Sequence, residues 1–285
     1  MAAGASVLPF SRRREPRVEV RPARPGEPVA RTLDEAGFGA HVARLLGYPR
    51  DSPHGEVLVA ATGRKLVGGA CCASFGRTGW IGALGVLPRA RRQGIGEQLT
   101  RACISWLEER GAETVLLYAT DMGRPVYDRV GFEAEAPARA WRGVPPGPPP
   151  QAARRLRPSD RDALLELDRR ATGEERRPVF DMLTALLGYG IERDGRLAGY
   201  ALQTPWGAGP AVVADDREVG IALLRALIVE PQPLTITVPD DNPAAPQTLA
   251  RWGFQPVNTA LRMRFGPAVE HDPTRMFGLF NLFWG

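Results

Sequence analysis

The sequence predicts an α+β fold written twice, each copy a mixed, mostly antiparallel sheet flanked by helices. Three observations carry this. The segment GVPPGPPPQAA at residues 143–153 holds five prolines and two glycines, so it can neither join a helix nor pair in a sheet and should run as a stiff spacer. On either side the chain repeats itself: RKLVGGACCA (64–73) answers GRLAGYALQT (195–204), and YDRVGFEAE (127–135) answers LARWGFQPV (249–257). That repeat is far longer than a solenoid unit. Within the first copy, strand-like and helix-like apolar patterns alternate. The expected division is a flexible Arg-rich tail (1–17), a first domain (18–142), the spacer (143–153) and a degenerate second domain (154–285).

Taken in order, VEVRP (18–22) reads as a strand, and residues 26–47 as one or two helices behind it. EVLVAAT (56–62) and LVGGACCASF (66–75), joined by GRK, read as a hairpin, with WIGALGV (80–86) a third antiparallel strand. Ile95, Leu99, Ala102, Cys103, Trp106 and Leu107 recur at spacings of three and four, one apolar face of a helix reaching to about Arg110 before Gly111 stops it. Glu97 and Arg101 form an i,i+4 pair on its outer side. TVLLYAT (114–120) is a buried strand, RPVYDRV (124–130) a short helix, and Gly131 its C-terminal cap ahead of a strand from Phe132.

Composition narrows the function. Apolar residues make up 44% of the chain and charged ones 24%, which suits a globular protein, and no window approaches the ~18–20 apolar residues of a membrane helix. The net charge is +5, yet six arginines against Glu15 and Glu19 within residues 1–24 account for most of it. The folded remainder is near neutral, which argues against nucleic acid as the partner. The tail lacks the apolar run of a secretory signal; a loose tail and an organellar transit peptide share its composition. Cys71, Cys72 and Cys103 with three histidines give neither a disulfide framework nor a zinc spacing, so no metal is expected, and a reducing cytoplasm fits. The oligomeric state is not set by these features.

The chemistry is expected at RRQGIGEQL (91–99), between a strand and a helix. Gly94 and Gly96 let successive backbone N–H groups face one side with no Cβ in the way, and the helix start adds unpaired donors and partial positive charge. A diphosphate suits such a place. Nucleotide fingerprints fail on spacing: there is no Gly-x-x-x-x-Gly-Lys-Ser/Thr, and the third glycine of Gly-x-Gly-x-x-Gly is Leu99.

Here the sequence resembles a family. WIGALGVLPRARRQGIGEQL is similar to motif A of the GNAT acyltransferases, Arg/Gln-x-x-Gly-x-Gly/Ala, through Arg91, Gly94 and Gly96, and GRPVYDRVGF (123–132) is similar to motif B. The repeated architecture and the ending RMFGLFNLFWG resemble two-domain members whose second half is of the YitH/HolE type. The resemblance implies a cleft where the strands at 80–86 and 114–120 splay apart. It implies acetyl-CoA as co-substrate, its pantetheine arm paired with backbone at Leu84 and Val86. The pyrophosphate would lie on Arg92, Gln93, Gly94, Ile95, Gly96 and Glu97. It also implies an N-acyltransferase acting by direct attack of a small-molecule primary amine, with Tyr127 as the acid that protonates the departing thiolate. A tyrosine of reference pKa ~10 is protonated at neutral pH and can serve a thiolate of ~8.5.

The chain also departs from that pattern. Thr120 stands where many members carry asparagine, which shortens one expected cofactor contact. The two central strands contain no carboxylate, so a general base is not identified; Asp121, His41 and His54 are the candidates at hand. The second copy has Asp215 and Asp216 in place of the arginine and glycine, and Leu249 in place of the tyrosine, and is expected not to bind CoA. The alternative to an enzyme is a noncatalytic acyl-CoA-binding or nucleic-acid-associated protein.

Overall fold

The computed structural model describes residues 17–147, 150–207, 209–227 and 233–285; residues 1–16 of the tail and Pro148 and Pro149 of the spacer lie outside the described residues. The first half runs β1 (Val18–Pro22), three short helices α1 (Val29–Leu33), α2 (Val42–Leu45) and α3 (Gly47–Asp51), then β2 (Gly55–Thr62), β3 (Lys65–Phe75) and β4 (Thr78–Val86). After these come α4 (Ile95–Glu108), β5 (Thr114–Ala119), α5 (Arg124–Val130) and β6 (Glu133–Gly143). The second half repeats the plan with β7 (Ala153–Arg155), α6 (Arg161–Thr172), α7 (Arg177–Asp181), β8 (Leu187–Arg193), β9 (Arg196–Gln203) and β10 (Ala211–Ala214). It finishes with α8 (Arg217–Ala226), β11 (Leu234–Pro239), α9 (Ala244–Arg251), β12 (Gln255–Phe265) and β13 (Met276–Gly278). The α+β reading of both halves agrees with this. Two stretches differ: where one or two helices are expected over 26–47, Gly37 (φ +114) and Gly39 (φ +81) break the segment into short turns, and the spacer expected not to pair enters the sheets at its non-proline ends, Gly143 opposite Leu234 and Ala153 opposite Ile191.

The two halves exchange the equivalent strands β6 and β12. The larger sheet has the order β1-β2-β3-β4-β5-β12-β6-β11. Its β12, from the second half, pairs antiparallel with β5 of the first (Leu261↔Ala119 through Phe265↔Val115). Conversely β6 pairs with β11 of the second half, Leu234↔Gly143 through Pro239↔Ala138. β6 and β12 carry the second sequence repeat, so equivalent strands have traded places. The halves thus share one hydrogen-bonded sheet, and separating them would expose the backbone edges of β5 and β11.

The smaller sheet has the order β13-β10-β9-β8-β7. β13 pairs with β10, and Leu279 N–H donates to Thr237 O of β11 at 2.8 Å. The chain's own segment therefore lies between β10 and β11.

Apolar side chains cover both faces of the larger sheet. On one face Leu58, Cys72, Ile81 and Leu117 pack under α4 and α5 through Ile95, Leu99, Cys103 and Val130. On the other, Val57, Ala73, Trp80 and Leu116 meet α1–α3 and the second half through Leu167, Phe180, Phe280 and Trp284. The three cysteines are buried and free.

Candidate active site

β4 and β5 run parallel but are paired only from Thr78↔Thr114 to Ile81↔Leu117. Beyond that point they diverge, and the cause lies in β4. Its pairing with β3 jumps from Cys71↔Gly82 to Gly69↔Gly85, one more residue on β4 than on β3. The extra residue is a β-bulge at Ala83, whose φ is +48. Leu87 N–H still donates to Val67 O of β3 at 2.8 Å. Since successive backbone groups of a strand alternate sides, the amide of Val86 turns the other way, into the gap.

At the C-terminal end of the gap, α4 begins. Arg92 (φ +61) and Gly94 (φ +75) are both left-handed, the alternation that folds backbone N–H groups into a concave row. Arg92 does this without being glycine, a strained choice that marks the loop. None of the amides from Arg92 to Glu97 finds an acceptor among the described residues. The side chains of Arg89 and Arg92 are exposed and unpaired among the described residues. This is a row of free donors beside positive charge, and it fits a diphosphate.

The other sequence-selected residues fall as follows. Arg91 faces inward: Nε donates to Val86 O at 3.0 Å and Nη2 to Ala36 O at 2.9 Å, tying the loop to the end of β4. Leu84 and Val126 of α5 border the gap, both within 4.0 Å of where a Cβ on Gly96 would stand. Glu97 is held by Arg101 at 3.0 Å. Thr120 is spent locally, its Oγ1 accepting from Gly123 N–H at 3.4 Å and its carbonyl from Gly123 and Arg124 at 2.9 Å, which starts α5.

Tyr127 is buried against Phe132, ring centroids 5.7 Å apart, and its hydroxyl has no hydrogen-bond partner among the described residues. Burial pushes its pKa well above the ordinary phenol value, so it holds its proton throughout the neutral range. His41, His54 and Asp121 are all exposed.

The second half brings a carboxylate that residue spacing did not reveal. Glu174 lies on β4: its Oε2 accepts from Trp80 Nε1 at 2.7 Å and Thr78 Oγ1 at 3.0 Å. Gly173 makes this possible. It ends α6 with φ +71, and a Cβ there would lie 2.0 Å from Glu270 O. Beside Glu174, Asp168 receives Arg176 through two hydrogen bonds (2.8 and 2.6 Å) and Tyr200 through a third (2.6 Å), all buried. In sequence the cluster shows only as an acidic residue directly after a helix-ending glycine, and nothing local ties such a residue to a strand ~95 residues away.

In the second half the equivalent places are filled. Asp216 caps α8, Oδ1 accepting from Glu218 N–H at 2.8 Å and Val219 N–H at 3.0 Å, so a carboxylate already sits on the helix-start amides. Leu249 is wholly buried.

Residues 28–132 match the model of the acetyltransferase (GNAT) family, and residues 164–278 match a second acetyltransferase (GNAT) domain model. The chain belongs to the GNAT family of N-acetyltransferases. It carries two such domains in tandem, and members of the family use acetyl-CoA as co-substrate. It is 29% identical over 192 residues to the uncharacterized N-acetyltransferase YitH of Bacillus subtilis, covering 63% of this chain and 67% of that one. A Pyrococcus horikoshii protein solved as a candidate acetyltransferase superposes with a TM-score of 0.79 at 20% identity, covering 99% of both chains. A tandem GNAT protein of the clavulanic acid biosynthesis pathway gives 0.59 at 18%, covering 88% of this chain and 100% of that one. Among the described residues no helix is long and apolar enough to cross a membrane, and no group of side chains is placed to hold a metal ion.

Proposed function

We propose that the protein transfers the acetyl group of acetyl-CoA to a small-molecule primary amine by direct attack in a ternary complex, in the cytoplasm, using the gap of the first half. The observation that carries this reading is the union of two vacancies. β4 and β5 stop pairing after Ile81 and Leu117, and the amides from Arg92 to Glu97 lie unused at the mouth of the gap they leave. An extended pantetheine chain pairs with backbone as an added strand does, here at Leu84 and Val86, and the diphosphate takes the amides of the loop.

The amide of Val86 is turned toward the thioester carbonyl, whose oxygen gains negative charge as the amine attacks. The amine nitrogen bonds to the acyl carbon, the carbon–sulfur bond breaks, and the thiolate takes the proton of the Tyr127 hydroxyl. The amine's own proton leaves to solvent, and the Tyr127 phenolate recovers a proton from solvent as CoA departs. Tyr127 is suited to the acid role because burial keeps it protonated and no protein acceptor competes for its hydrogen.

The test is thiol release from acetyl-CoA with a panel of primary amines. Tyr127→Phe should lower kcat by ~100-fold or more, the usual worth of a general acid, while CoA binding by calorimetry stays within about twofold. Unchanged turnover in Tyr127→Phe would remove it from the mechanism, and binding without turnover across the panel would favour a noncatalytic acyl-CoA-binding protein.

A further inference from the structure

A small cavity of ≈ 50 Å³ lies between the halves, against the face of the larger sheet opposite α4. Its floor is Trp80 of β4 and Tyr118 of β5, stacked with centroids 5.4 Å apart. Tyr118 is the first residue of β5 beyond the last β4–β5 pair, so the cavity adjoins the start of the gap. Glu174 lines it at 3% exposure. Both hydrogen bonds of that carboxylate fall on Oε2; Oε1 has no partner, and no cation pairs with the group among the described residues.

We propose that this cavity receives the primary ammonium head of the acceptor, with Glu174 as its counter-ion, and that the acceptors are slender alkylammonium compounds; the head passes one proton to the free Oε1 of Glu174 and attacks as the neutral amine, and Glu174 returns that proton to solvent. The proposal rests on the acyltransferase reading above and names its substrate class. The charges around the cavity decide the sign of the ligand. Arg176 is matched by Asp168, and Arg262 by Glu135. His271 is neutral: its Nδ1–H donates to Val269 O, its Nε2 accepts from Arg262, and burial together with that guanidinium lowers its pKa. What has no ion-pair contact among the described residues is Glu174 inside, on which Arg176 and Arg262 act only at longer range, and Asp241 at the exposed rim, both acidic.

Arg176 Nη1 is also buried without an acceptor, but an anion drawn to it would lie beside both Asp168 and Glu174. The aromatic floor already accommodates one cation, the Arg262 guanidinium 5.9 Å from the Trp80 ring centroid, and its π-faces suit a second. A water needs ~10–15 Å³ of such space, so ≈ 50 Å³ admits a few non-hydrogen atoms: an ammonium and its first carbons, not a sugar ring. Burial raises the Glu174 pKa by making its charged form costly, and an incoming ammonium would stabilise that form. For the same reason Glu174→Gln, isosteric and uncharged, should fold.

Calorimetry with n-butylammonium chloride and sodium butyrate, and turnover of n-butylamine with acetyl-CoA, test this. In Glu174→Gln, butylammonium binding should weaken ~30-fold or more, and KM for n-butylamine should rise in step while CoA affinity is unchanged. Asp241→Arg, at the exposed rim where it cannot disturb the core, should weaken butylammonium several-fold. Equal binding in the wild type and both variants, no butylammonium binding at all, or a preference for butyrate would overturn the proposal. The two readings fail separately. If no CoA thioester binds, the acyltransferase reading falls, and Glu174-dependent butylammonium binding would still uphold the cavity. If other amines turn over and Glu174→Gln leaves butylammonium untouched, only the cavity proposal falls.

Discussion

Replacing Gly96 by alanine separates the two jobs of the glycine loop, because its effects on stability and on ligand binding have opposite signs. Gly96 lies inside α4, and a Cβ there would meet Val126 Cγ1 at 3.6 Å, Val126 Cγ2 at 3.7 Å and Leu84 Cδ2 at 4.0 Å, ordinary contacts that require no adjustment. Alanine is favoured over glycine in a helix by up to ~1 kcal/mol, so the variant should unfold at the same or a slightly higher denaturant concentration. The new methyl, however, projects into the gap beside the free amides. A diphosphate displaced by one methyl loses a hydrogen bond between a charged group and an amide, worth ~1.5–3 kcal/mol, which is ~10- to 100-fold in Kd. Gly94→Ala is the counterpart. It places a Cβ at φ +75 with only Gln98 Nε2 nearby, 3.9 Å away, so it should cost ~1–2 kcal/mol of stability through backbone strain. Urea unfolding and calorimetry with CoA, on both variants, give the four numbers. If Gly96→Ala binds CoA as tightly as the wild type, the amides at the start of α4 are not the diphosphate site.

Three further outcomes are expected. Asp168→Asn should lower stability by ~3–5 kcal/mol, because it leaves the buried Arg176 guanidinium without its counter-charge; urea midpoints measure this, and a loss below 1 kcal/mol would show that Arg176 finds another acceptor. Asp216→Ala should cost ~1 kcal/mol through the lost α8 cap and create no second CoA site, which calorimetric stoichiometry checks. Stability should also fall as pH rises above 10. Burial raises Tyr48 and Tyr118 to about 12, so the unfolded chain loses these protons first, and the native state loses stability between the unfolded value of ~10 and the folded one. Unfolding followed from pH 9 to 12 should show a declining midpoint, and a flat profile would mean those phenols are free to ionise.

What the sequence discloses and what it hides divide along one physical line. Local periodicity places the hairpin, the third strand, the amphipathic helix and the short helix around Tyr127 to within a residue or two of their ends, because each is fixed by its own alternation and caps. It also places the glycine loop at the start of that helix. The partner of each strand is not a local property. β6 and β12 have the patterns their repeats predict, but nothing in either pattern distinguishes pairing within a half from pairing across halves. Glu174 is hidden for the same reason: it reaches β4 only because the halves dock and Gly173 turns the chain back. Arg91 shows a subtler limit. Its position in the motif invites a phosphate contact, whereas the structure spends its guanidinium on two carbonyls, and side-chain type alone does not say which use prevails.

The two halves also explain why one fold copy keeps an open gap and the other does not. A sheet that splays leaves two unpaired strand edges, and buried unpaired backbone groups are costly unless a partner is supplied. In the second half the partner is internal: β13 pairs with β10, and Leu279 N–H reaches Thr237 O of β11. Asp216 likewise answers the free amides at the start of α8. Both needs are met by the chain, so no ligand is required and a diphosphate would have to displace a carboxylate. In the first half the bulge at Ala83 opens the same gap, yet among the described residues no strand fills it and no side chain caps α4. Under the proposed function, a bound acyl-CoA would satisfy the unmet backbone groups on that side. The residues that follow β13 continue onto the first half, where Phe283 packs on Gly82 and edge-on to Phe38. One segment thus closes the second gap and walls the first, which ties the second half to the geometry of the first.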